Sequence, residues 1–89
     1  MIPFELQQVR RVLMYKRDEI TTDLICCDVE ADGGDGPITW TRHEESAEWQ
    51  EWLTELSRLP NFDQEWLEKV TKPPFEECVT LVYKRSDVA

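Results

Sequence analysis

The sequence predicts an α+β domain: an antiparallel sheet of about four strands, in the order β-β-β-α-α-β, with two helices packed on one face. Three observations carry that reading. Residues 9–42 and 78–84 hold short runs of β-branched and aromatic residues with a period of two. All three glycines fall between Gly33 and Gly36, where a chain reversal needs them. Residues 46–70 change to a helical period and hold three of the four tryptophans.

Residues 1–8 are too short for a stable isolated helix, although Pro3 suits a first helical position and Phe4 and Leu6 are able to pack. Residues 9–16 form the first strand. Its consecutive Val12, Leu13, Met14 and Tyr15 place apolar groups on both sheet faces. Residues 16–19 are a polar turn, and residues 20–30 pair back as the second strand of a hairpin. There Leu24 and Cys26 face one side, with Ile25, Cys27 and Val29 on the other. Residues 31–36 reverse the chain. Residues 37–42 form a third strand, with Pro37 suited to a strand start or an edge.

The first helix sets Trp49, Trp52, Leu53, Leu56 and Leu59 on one face, with Ser46 as its expected N-cap. Residues 59–61 break the chain. The second helix sets Phe62, Trp66, Leu67 and Val70 inward, with Asn61 and Gln64 at capping-box spacing. Pro73 and Pro74 end it. Residues 78–84 are the last strand, with Val79, Leu81 and Tyr83 alternating against Cys78, Thr80 and Val82. The whole of 1–89 reads as one small domain, with 1–8 as a frayed terminus or a short helix and 86–89 as a tail. Two short helices cover only one face of such a sheet. The other face is therefore expected to be covered by the N-terminal segment or by a second copy, as in a homodimer.

The formal net charge is −9, and residues 18–65 hold fourteen acids against two bases, Arg42 and Arg58. Such a surface repels a phosphate backbone, so nucleic acid is not an expected partner, whereas a basic protein is. No apolar run approaches the ~20 residues that span a bilayer, no secretory leader is visible, and three cysteines do not make a disulfide framework. The expected location is cytoplasmic, with no membrane association.

Glu44, Glu48, Glu51 and Glu55 share one side of the first helix or its approach, relieved only by Arg58. They read as a solvated face or as a docking surface for a basic partner. Trp40, on a threonine-rich strand, reads as sheet packing or as a recognition aromatic. Residues 28–33 resemble the start of an EF-hand calcium loop. The likeness then fails, because Thr39 stands where the closing carboxylate belongs. Cys26, Cys27, Cys78 and His43 lack zinc spacing. No metal or cofactor is expected. The leading expectation is a protein-interaction or regulatory module docking through the acidic helix face. The alternative is a small enzyme or ligand-binding protein using His43 and the neighbouring Glu44 and Glu45.

Overall fold

The computed structural model describes residues 2–18, 23–71 and 79–88. A short 3₁₀ turn, Leu6–Gln8, leads into β1 (Val9–Asp18), β2 (Asp23–Gly33), β3 (Gly36–His43), α1 (Trp49–Leu56), α2 (Trp66–Thr71) and β4 (Val79–Lys84). The strands form one antiparallel sheet in the order β3-β2-β1-β4. The α+β class and the predicted order of elements hold.

Alternation sorts the sheet into two faces. Val12 opposes Val29 and Met14 opposes Cys27, and all four are buried beneath the helices. Trp52 and Leu56 of α1 complete this core with no exposed surface, and Val70 of α2 joins them. Trp49 meets Trp66 edge to face at 6.5 Å, which ties the two helices together. Phe4 meets Trp52 the same way at 5.0 Å, so the N-terminal segment packs on the helix side and not on the other face. Val88 near the other end is also buried.

Tertiary geometry changes several local expectations. Ser46 does not cap α1. Its hydroxyl accepts the His43 N–H at 3.1 Å, and its own N–H donates to the His43 carbonyl at 2.8 Å. The helix starts later, with Glu48 in the cap position. Asn61 takes a left-handed φ of 61°, which asparagine tolerates, and it makes the break between the helices rather than a capping box. Asp63 Oδ1 instead accepts the Glu65 N–H at 3.0 Å just before α2. Leu67 is 51% exposed and does not belong to the core.

Two bulges reset the strands. β1 carries one extra residue, Arg10, between Val9 opposite Ala31 and Arg11 opposite Glu30. A second irregularity opposes Val12 to Tyr83 and Leu13 to Leu81, so that Val82 and Tyr83 both turn inward. Strict alternation along residues 79–84 is therefore broken. At the β2–β3 turn, a Cβ on Gly33 would lie 2.5 Å from the Gly36 carbonyl oxygen, and Gly36 has φ +128°. Only glycine closes so tight a loop. Among the described residues no helix is long and apolar enough to cross a membrane.

Candidate functional site

The sheet face away from the helices is the candidate site. Its rows follow from strand register. Leu13 opposes Asp28 on β2 and Leu81 on β4, and Tyr15 opposes Cys26 and Val79. Leu13, Tyr15, Val79 and Leu81 thus form one contiguous apolar patch across β1 and β4. Val79 is 65% exposed and Leu81 50%. Scattered exposed apolar residues need no explanation, but adjacent ones on a rigid sheet do.

The β2 side of this face is polar, because Asp28, Glu30 and Asp32 stand at alternate positions and point the same way. The β1 bulge lets two successive arginines reach one carboxylate. Arg10 Nε lies 3.0 Å and Arg11 Nε 3.4 Å from Glu30 Oε1. Arg10 also reaches Asp32 at 3.2 Å, and Arg85, just past β4, donates to the other Asp32 oxygen at 2.8 Å. Hydrogen bonds from Arg85 and then Arg10 hold the Asp32 carboxyl below the usual carboxylate range. Asp28 accepts from Tyr15 Oη at 3.1 Å and from Thr41 Oγ1 at 2.7 Å. Burial, followed by the Asp28 charge and this hydrogen bond, pushes the Tyr15 phenol up to about 12.

These charges nearly cancel. Arg10, Arg11, Arg17, Lys84 and Arg85 stand against Asp28, Glu30, Asp32 and Asp87 on this face and its rim. A shallow depression of about 120 Å³ lies between the polar and apolar halves, lined by Arg11, Leu13, Asp28, Glu30 and Thr39. That volume holds a few waters and is well short of the few hundred Å³ of ordinary ligand pockets. Among the described residues no group of three or more metal-ligating side chains comes together.

Both sheet edges are blunted. On β3, Pro37 has no N–H, Arg42 Nη1 donates to the Thr41 carbonyl at 2.8 Å, and Ser46 takes up the backbone groups of His43. On β4, the Asp63 N–H caps the Val82 carbonyl at 2.9 Å. Strand addition is discouraged at these positions.

The residues singled out in the sequence are dispersed. Glu44 precedes α1, where its Oε1 accepts the Ile25 N–H at 3.0 Å. Glu48 Oε2 lies 3.6 Å from Arg42 Nε, and Glu55 Oε2 3.3 Å from Arg58 Nη1. Glu51 is exposed on the first turn of α1. Two of the four acids, Glu51 and Glu55, therefore lie on the helix, and Glu44, Glu48 and Glu55 are engaged by the chain's own groups. Trp40 opposes Val29 on the helix side, half-buried against the core. His43 opposes Cys26, and its Nδ1 accepts the Glu45 N–H at 3.2 Å. It does not line the depression. Cys26 and Cys27 are buried on opposite faces, and burial pushes the Cys27 thiol up. Cys78 lies outside the described residues.

The arginine–carboxylate network had a faint sequence signal: the Arg10-Arg11 doublet and the alternation of Asp28, Glu30 and Asp32. Comparison with protein-family models, with curated proteins and with solved structures finds no match to the chain.

Proposed function

We propose that this chain is a protein-interaction module that binds through the open face of its sheet. One observation carries the reading: Leu13, Tyr15, Val79 and Leu81 form an apolar patch on a rigid four-stranded platform, beside a self-neutralised polar half. Ordered, adjacent apolar side chains lose little entropy on binding, which suits them as contact anchors. The reading places the protein in a reducing, cytoplasmic setting, in keeping with a sequence whose three cysteines make no disulfide framework. Catalysis by His43 is less well supported, because its Nδ1 is occupied by the Glu45 N–H and the depression lies elsewhere.

Affinity capture from host lysate with the parent and with Leu81→Lys tests the reading. Leu81 is half exposed, so the variant should fold like the parent. The expected result is a protein retained by the parent and lost by the variant. Capture that is indifferent to Leu81 contradicts the reading.

A second reading keeps the acidic side as a dock for a basic protein. It is favoured by the charge distribution: the open face is near neutral, so the −9 of the chain is concentrated on the rest of the surface. Glu48→Lys with Glu51→Lys should then abolish a salt-sensitive capture and leave the Leu81-dependent one intact.

A further inference from the structure

We infer that the partner of the open face is a second copy of this chain, in a two-fold face-to-face dimer. The inference rests on the reading of that face as a binding surface. Three observations select the occupant.

The first is charge. Two chains of −9 repel each other wherever acidic surface meets acidic surface. On the open face Glu30 is answered within the chain by Arg10 and Arg11 and Asp32 by Arg10 and Arg85, while Asp28 is held by the hydroxyls of Tyr15 and Thr41. With five bases against four acids on it and its rim, this face brings little net charge against its own copy, and the acidic sides then point outward. A strongly basic partner gains less here, because Glu30 and Asp32 are already paired with arginines.

The second is coverage. The N-terminal segment, the chain's own candidate cover, is spent on the helix side, where Phe4 packs on Trp52. The apolar patch is left without it.

The third is size. Four strands at about 4.8 Å spacing and some six residues of rise give roughly 400 Å² in projection, and more as accessible surface. Stable interfaces bury about 800 Å² per partner. The face is therefore smaller than a permanent dimer needs and of the size of weak, transient contacts, so association should depend on concentration. The apolar patch is the same on both copies, as a two-fold contact requires.

Sedimentation velocity of the full chain, from low micromolar to near-millimolar concentration and across a salt series, tests this. The parent should shift from monomer to dimer as concentration rises. Salt should strengthen the shift, because it screens the −9 repulsion and leaves apolar burial intact. Leu81→Lys and Val79→Lys should each weaken association on the order of tenfold or more. A parent that stays monomeric throughout overturns the inference. So does a dimer indifferent to both substitutions, or one that weakens as salt rises. A monomeric chain that still captures a Leu81-dependent partner loses only the second copy. A monomeric chain with no such partner loses the interaction reading as well.

Discussion

Replacing Trp52 should remove much of the stability of this domain, and the magnitude follows from its surroundings. Its side chain is 0% exposed, lies edge-on to Phe4, and sits beneath the Arg42 guanidinium at 5.2 Å from the ring centre. A buried tryptophan removes about 150–250 Å² from water, worth up to about 4–6 kcal/mol at ~25 cal/mol per Å². The Phe4 pair adds about 0.5–1.5 kcal/mol, and the half-exposed cation at most about 1. Against these, the indole N–H is buried with no hydrogen-bond partner among the described residues, a cost of about 1–3 kcal/mol. Trp52→Ala should therefore cost about 4 kcal/mol, inside the ~3–5 kcal/mol seen for such truncations. A chain of this length has about 4–13 kcal/mol in total, so the variant should lose roughly a third or more of its stability and unfold at clearly lower urea. Trp52→Phe keeps most of the apolar contact and discards the unpaired donor, so it should stay within about 2 kcal/mol of the parent. Urea denaturation followed by circular dichroism gives both values, provided the slope is unchanged. A parent-like Trp52→Ala refutes the packing argument. A Trp52→Phe variant as damaged as the alanine one refutes the claim that the indole N–H is unpaired.

Acid should destabilise the protein through Asp32, Asp87 and Asp63. Arg85 and then Arg10 hold Asp32 low, Arg85 does so for Asp87, and Lys69 for Asp63. A carboxylate held below its unfolded value near 4 stabilises fully above that value and loses the contribution as pH falls through the folded one. Urea midpoints should therefore drop below about pH 4, and Arg85→Gln should flatten that drop; an unchanged profile would contradict the network. These pairs are solvent-accessible, so the effect should shrink in high salt. Tyr15, raised to about 12, favours the folded state below its unfolded value near 10, and that contribution fades as pH climbs through the folded one. Ultraviolet titration should find one tyrosine ionising near 12, and Asp28→Asn should lower it; no change on that substitution would remove Asp28 as a cause.

The parts of the fold that depend on periodicity were legible in the sequence. Period two groups Val12 with Met14 and Cys27 with Val29, whereas their apolar neighbours Leu13, Tyr15 and Cys26 left it to the helices to decide which face is the core. The helical spacing of Trp49, Trp52 and Leu56 assigned the buried face of α1. What was not legible depends on contacts between distant segments. A bulge is one residue inserted against a partner strand, so no local pattern reveals that Arg10 and Arg11 share Glu30, or that Val82 and Tyr83 both turn inward. Ser46 has the chemistry of a helix cap, but the end of β3 offers its hydroxyl an N–H first. Leu67 fits the helical stripe by spacing, yet α2 is only six residues long, and its position against β1 and β4 leaves Leu67 outside. The acidic positions were visible by composition. The Arg58 partner of Glu55, one helical turn away, was visible too, whereas Arg42 and the Ile25 amide were not, since those contacts join separate segments. The apolar character of both faces of β1 and β4 was visible, and it pointed to the face that the structure leaves free of helices among the described residues.

The account stands on that face being apolar, ordered and open to a partner. The most direct measurement is methyl NMR with a soluble paramagnetic agent, on chain dilute enough to be monomeric. The methyls of Leu13, Val79 and Leu81 should broaden strongly, whereas those of Val12, Val29, Leu56 and Val70 should not. Protection of Leu13, Val79 and Leu81 equal to that of the core methyls in the dilute monomer would mean that the chain covers this face itself, and would contradict the account.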